Sequence, residues 1–210
     1  MINNNEFSVF VTDAEIKKIF PELPLRINKG DMGRVLALCG SYDPSGLSMC
    51  GAAYFCAKAA YRTGAGIVEV FTPRENYTAL STLVPEAVFS LYGYDECPDR
   101  ILSSLVSSIK KSDAVVIGCG LGRSALSEEI VRKTLESVEC PLLIDADGLN
   151  IISEHSEWLD MLSLEQKART VITPHPGEMS RLCGKAVADI LNDTVGTAVD
   201  FASKRGIVCL

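Results

Sequence analysis

Short apolar runs alternate with longer stretches of mixed polarity along most of this chain. Residues 34–39, 67–71, 114–117, 141–144, 170–172 and 206–210 are too short and too uniformly apolar for amphipathic helices. Several are bounded by glycine or proline, and each reads as a buried strand. Between them, residues 48–63, 98–111, 127–138 and 193–204 read as helices, with Gly64 standing where the first of these would end. Thr12-Asp-Ala-Glu15 has the form of a capping box, and Ile16 and Ile19 follow at helical spacing. That predicts a short N-terminal helix ending near Pro21. Strands separated by helices imply βαβ units, so the expected class is α/β with a mainly parallel sheet covered on both faces. No repeat, low-complexity tract or linker interrupts the pattern, and residues 1–210 read as one domain.

Composition changes this picture little. Hydrophobic residues make up 47% and charged residues 22%, an ordinary globular balance that argues against disorder. The net charge is −7 with Lys and Arg scattered, so no basic face for nucleic acid is expected. An anionic ligand stays open, because backbone amides bind phosphate within acidic proteins too. The eight cysteines form no CxxC pair and sit mostly in apolar runs. They read as small buried hydrophobes in a reducing compartment, with neither a zinc nor a disulfide framework expected. The start lacks the basic and apolar regions of a signal peptide, and no apolar run could span a bilayer. A cytoplasmic protein without a membrane partner is the expectation.

In an open α/β sheet, ligands bind beyond the carboxyl ends of the strands, so the segments after each strand are the ones to inspect. Gly118-Cys-Gly-Leu-Gly122 follows a strand, and its glycines would let backbone amides approach a ligand closely; a plain tight turn explains it as well. The spacing is neither GxGxxG nor a Walker motif. Asp145 and Asp147 end the next strand. They could hold magnesium or position a ligand hydroxyl; equally, Asp147 could cap a helix beginning at Gly148 while Asp145 bonds backbone amides. In Thr173-Pro-His-Pro-Gly-Glu178, two prolines hold His175 in what reads as a stiff, nonhelical turn, which suits a ligand contact, although a lone histidine is often structural. His155 reads as a surface residue. Ser41, Asp43 and Ser45 lack a GxSxG elbow and an assignable base, so hydrolase chemistry is not expected.

These segments, in order, resemble one family. Lys29-Gly-Asp-Met-Gly-Arg34, Gly40-Ser41, Gly51-Ala52-Ala53, Arg62-Thr-Gly-Ala-Gly66, Pro85-Glu86, Gly118-Cys-Gly-Leu-Gly122, Asp145-Ala-Asp-Gly-Leu-Asn150 and Thr173-Pro-His-Pro-Gly-Glu178 are similar to the NAD(P)H-hydrate dehydratases, from about Ile27 to Leu210. The resemblance implies a ribokinase-like three-layer α/β/α fold. It implies nucleotide-dependent dehydration of the S-hydrate of NADH or NADPH, with ADP more expected than ATP, and Mg2+. In that chemistry the ring hydroxyl is phosphorylated and phosphate is then eliminated. Ala52, Gly120, Gly122 and His175 match positions that line the hydrate site, Gly122 foremost. Asp145, Asp147 and Asn150 are the further candidates for positioning a ligand or metal; no resident metal is expected. A homo-oligomer is implied.

Two departures stand out. Cys119 replaces a proline usual in the family's glycine loop. In the family, the strand matching residues 206–210 is followed by Lys-Gly and Thr that contact the nucleotide, and later by a Gly-Thr/Ser-Gly-Asp turn. That turn supplies an anion hole and a base. The 210 residues stop before both, so the expectation is an incomplete domain that lacks its last strands and helix, with no catalytic residue identifiable and an exposed sheet edge. The alternatives are a noncatalytic fragment that binds hydrate or nucleotide, and a different ribokinase-like small-molecule kinase.

Overall fold

A computed structural model describes residues 12–19 and 25–210. In chain order the elements begin with α1 (Asp13–Ile19), β1 (Arg34–Leu38), α2 (Cys50–Arg62), β2 (Ile67–Pro73), α3 (Tyr77–Leu83), β3 (Val88–Tyr92), α4 (Pro98–Ile109) and β4 (Ala114–Ile117). They continue with α5 (Ala125–Ser137), β5 (Leu142–Ile144), α6 (Asp147–Glu154), α7 (Leu164–Ala168), β6 (Thr170–Ile172), α8 (Pro176–Cys183), α9 (Val187–Asn192), α10 (Thr194–Arg205) and β7 (Val208–Cys209). Pro21, where the first helix was expected to end, lies outside the described residues.

The strands form one sheet in the order β3-β2-β1-β4-β5-β6-β7, and every neighbouring pair is parallel. The six expected strands are all present. The seventh, β3, lies at an edge: Val88 and Leu91 are exposed, so the segment shows neither a continuous apolar run nor a clean alternation. At the other edge the strand is shorter than expected, because Gly206 adopts φ +71° and caps α10.

Alternate residues of β1 serve two cores. Leu36 and Leu38 join Val115, Ile117, Leu142, Ile144 and Ile172 against α4, α5, α6 and α8. Ala37 and Cys39 face the opposite way and pack with Ala53 and Ala57 of α2 and Leu80 of α3. The result is helices on both sides of a parallel sheet, with α2 and α3 covering only the β1–β2 side of the second face. Beyond them, half-buried Val116, Leu143 and Val171 line an open groove of about 430 Å³.

One part-buried ion pair pins the sheet. Glu69 on β2 is 2% exposed and accepts hydrogen bonds from the Arg34 guanidinium and from the hydroxyls of Ser90 (2.6 Å) and Ser108 (2.6 Å). Burial opposes its charge, but the Ser108, Ser90 and Arg34 donors outweigh burial and hold the carboxyl below the usual range.

Two of the family-like motifs act in packing. A Cβ added at Gly66 would lie 1.7 Å from the Lys29 carbonyl oxygen. The 29–34 and 62–66 segments therefore brace each other at the amino ends of β1 and β2, away from the opposite end of the sheet.

Candidate functional site

The strand order reverses between β1 and β4: the chain steps from β1 to β2 and β3 on one side, and from β4 to β7 on the other. At such a switch point the loops leaving the two central strands part, and a crevice opens beyond their carboxyl ends. Here that crevice is bordered by Gly40-Ser41 after β1 and Gly118-Cys-Gly-Leu-Gly122 after β4. The two loops are joined directly, the Gly40 amide donating to the Cys119 carbonyl at 3.0 Å.

Each glycine of the second loop has a positive φ, and each does a different job. A Cβ at Gly118 (φ +114°) would lie 2.0 Å from the Asp145 carbonyl oxygen and 2.6 Å from the Gly148 nitrogen, so this glycine lets β4 and the turn after β5 touch. A Cβ at Gly120 (φ +64°) would lie 2.7 Å from the Cβ of Ala52, at the start of α2. At Gly122 (φ +75°) the nearest atom would be the Ser41 Cβ, at 3.2 Å. Gly118 and Gly120 are thus glycines because neighbours fill the space, and Gly122 because of its backbone conformation.

The turn after β5 holds the loop from below. The Gly122 amide donates to the Asp147 carboxylate at 2.9 Å, and the Cys119 thiol donates to Asp145 at 3.4 Å. Burial pushes the Asp145 carboxyl above its usual range, a hydrogen bond from Thr173 offsets part of this, and nearby Cys119 raises it further. Between the two acids Ala146 sits at φ 49°, ψ −118°, the one non-glycine of positive φ among the described residues. That strain costs about 1–3 kcal/mol, and such outliers gather where a site needs an unusual backbone path. Asp147 therefore does not cap α6: Ala146 occupies the cap position and Asp147 is the first helical residue, its carboxylate turned to the glycine loop. One oxygen of each carboxylate is thus occupied by the glycine loop, Asp147 Oδ2 by the Gly122 amide and Asp145 Oδ2 by the Cys119 thiol.

The first loop is fixed by a residue that carried no local sequence signal. Asn76 is 1% exposed; it donates to Thr72 Oγ1 (2.9 Å) and the Ser41 carbonyl (3.4 Å) and accepts from Ser48 Oγ (2.8 Å). Ser48 and Tyr42 close the loop as a small antiparallel bridge.

The structure thus brings Ala52, Gly120, Gly122, Asp145 and Asp147 together. Asn150 bonds elsewhere: its Oδ1 accepts from Arg181 at 2.8 Å, tying α6 to α8. His175 itself keeps the expected nonhelical backbone (φ −68°, ψ 164°), but the chain turns helical directly after it. It is the N-cap of α8, its Nδ1 accepting from the Gly177 amide at 3.0 Å while Glu178 accepts from the His175 amide at 2.9 Å. Pro176 occupies the first helical position, where a missing N–H costs nothing. With Nδ1 an acceptor, Nε2 carries the proton and faces Glu178 Oε1 at 3.2 Å. The ring stays 64% exposed. His155 stacks on Trp158 with ring centroids 4.1 Å apart.

The sequence profile of the NAD(P)H-hydrate dehydratase family matches residues 35–210. The chain is 34% identical over 204 residues to the bifunctional NAD(P)H-hydrate repair enzyme of Salinibacter ruber, covering 95% of this chain and 36% of that protein. It is 33% identical over 201 residues to the ADP-dependent (S)-NAD(P)H-hydrate dehydratase of Streptococcus pneumoniae, covering 94% and 63%. Among solved structures, the ADP/ATP-dependent NAD(P)H-hydrate dehydratase of Bacillus subtilis, co-crystallised with ATP/Mg2+, has the same fold at a TM-score of 0.72 and 23% identity, covering 95% of this chain and 65% of that one. The chain spans less than two thirds of the length of each of these proteins. On the match over residues 35–210, this chain belongs to the NAD(P)H-hydrate dehydratase family.

Proposed function

We propose that this chain serves nucleotide-dependent dehydration of the S-hydrate of NADH or NADPH, returning the working cofactor, and that it binds the hydrate in the crevice between β1 and β4. The observation that carries this reading is the convergence of Ser41, Ala52, Gly120 and Gly122 at the switch point, in a chain of this family. The hydrated nicotinamide ring is puckered and uncharged, and a wall of glycine and alanine lets it approach the backbone closely where larger side chains would stand. Gly122 is the proposed nearest contact, because its neighbour leaves the most room. Asp147 and Asp145 are positioning residues, holding the loop by the Gly122 amide and the Cys119 thiol. His175 is proposed to border the crevice through its exposed ring.

The proposed phosphoryl donor is ADP or ATP with Mg2+; both nucleotides occur in the relatives' names, and ADP is the expected choice. Phosphorylation of the ring hydroxyl makes a good leaving group, and loss of phosphate restores the dihydropyridine. No step is routed through a magnesium ion at the Asp145–Asp147 pair. The proposed setting is cytoplasmic, as a single domain; among the described residues no helix is long and apolar enough to cross a membrane.

The test is a turnover assay of the purified chain with NADPH hydrate, ADP or ATP, and Mg2+, read as recovery of NADPH absorbance. Recovery would support the dehydratase reading for the chain itself. A stable phosphorylated product would instead identify a small-molecule kinase. Binding without turnover would identify a noncatalytic binding unit.

A further inference from the structure

Cys39, Cys56 and Cys119 are distant in sequence, and their spacing suggests no metal motif. The fold brings them together: their three Sγ atoms all lie within 4.8 Å of one another. Each comes from a different element, Cys39 from the residue after β1, Cys56 from α2 and Cys119 from the glycine loop after β4. Among the described residues this is the only convergent group of three or more metal-ligating side chains. All eight cysteines are free.

We infer that these three thiols form a binding site for one thiophilic divalent ion of the zinc type. A tetrahedral ion with Zn–S bonds of about 2.3 Å needs sulfurs roughly 3.8 Å apart. The observed spread requires inward movement of only about 1 Å, within reach of side-chain rotation. The donor set is soft, which selects zinc or cadmium over magnesium or calcium. An oxygen is at hand for the fourth position, because Asp145 Oδ2 is 3.4 Å from Cys119 Sγ. Access exists as well: Cys56 and Cys119 both line the open groove of about 430 Å³. Binding forms three S–Zn bonds as three S–H protons pass to solvent; no electron moves, so no oxidant is required. Three cysteines packed merely as small apolar residues would explain burial of Cys39, but not the meeting of three sulfurs beside a carboxylate. Because Cys119 lies between Gly118 and Gly120, the ion would tie the glycine loop to β1 and α2.

The experiment is titration of the reduced, metal-free 210-residue chain with Co2+, followed by displacement with Zn2+, reading the thiolate-to-cobalt charge-transfer band. We expect saturation at one equivalent and loss of the band on adding Zn2+. Cys56→Ser and Cys119→Ser should each weaken uptake by more than the roughly 10–100-fold that outer-sphere changes cost. Cys119→Pro, which installs the family's usual residue, should do the same and guards against a misfolded serine variant. Cys97→Ser, at an exposed thiol, should bind as the unaltered chain does. Absence of a charge-transfer band at saturating Co2+ overturns the inference. So does unchanged affinity in folded Cys56→Ser and Cys119→Pro chains.

Discussion

Gly118→Ala is the sharpest structural probe of the switch point. The added Cβ would sit 2.0 Å from the Asp145 carbonyl oxygen and 2.6 Å from the Gly148 nitrogen, both backbone atoms that cannot swing aside. The turn after β5 would have to retreat by more than about 1 Å to reach van der Waals contact. Its φ of +114° adds strain of about 1–3 kcal/mol for any residue with a Cβ. Retreat would also lengthen the Asp147 amide bond to the Gly118 carbonyl (3.2 Å) and the Asp145 amide bond to Ile117 (3.0 Å). At about 1 kcal/mol per hydrogen bond, the total loss is about 3–5 kcal/mol. Urea unfolding followed by far-UV circular dichroism should show the midpoint falling by about 1–2 M. A fall below about 0.3 M would mean that β4 and the β5 turn are not in the close contact described here, and the geometry of the crevice would have to be abandoned.

Two further predictions separate binding from stability. Gly122→Ala meets the side chains of Ser41, nearest at 3.2 Å, and Ser127 at 3.9 Å, which can shift by a few tenths of an ångström, so its main cost is the positive φ, about 1–2 kcal/mol, while its methyl pushes on Ser41 at the proposed hydrate site; a chain that stays folded but loses hydrate affinity at least about tenfold is expected from parallel urea and equilibrium-dialysis measurements. Glu69→Ala leaves the Ser90 and Ser108 hydroxyls and the part-exposed Arg34 guanidinium without their acceptor and should cost about 1–3 kcal/mol by urea unfolding. The same carboxyl predicts a pH effect. Its folded pKa lies below its unfolded value, so its stabilisation is complete above about pH 4.3 and is lost as pH falls through the folded pKa. Urea midpoints between pH 7 and pH 3 should show a steeper acid decline in the unaltered chain than in Glu69→Gln; equal declines would remove Glu69 from the explanation.

Much of this fold is legible because parallel strands buried on both faces are short apolar runs, as in β1, β4 and β5. β3 escapes because an edge strand exposes Val88 and Leu91 and keeps neither pattern. α8 escapes because Pro174 and Pro176 read as helix breakers, yet Pro176 falls at the one helical position that tolerates it, behind a histidine outside the usual capping set. The glycine loop was readable as a candidate, but not its partition into two glycines with no room for a Cβ and one that faces movable serine side chains, which depends on what lies opposite each Cβ. Asp147 holds a loop amide 25 positions away in sequence instead of its own helix. Ala146, Asn76 and the meeting of Cys39, Cys56 and Cys119 leave no local trace, since each depends on contacts between distant segments. Burial was also overread for the cysteines: Cys39 is buried, but Cys97 is exposed.

Equilibrium dialysis of the purified chain against NADPH hydrate, with Gly122→Ala measured beside it, decides where the hydrate binds. Saturable binding by the unaltered chain and its loss in the folded Gly122→Ala variant are expected. A folded chain that binds no hydrate, or a Gly122→Ala variant that binds it as tightly, would contradict the placement of the hydrate between β1 and β4.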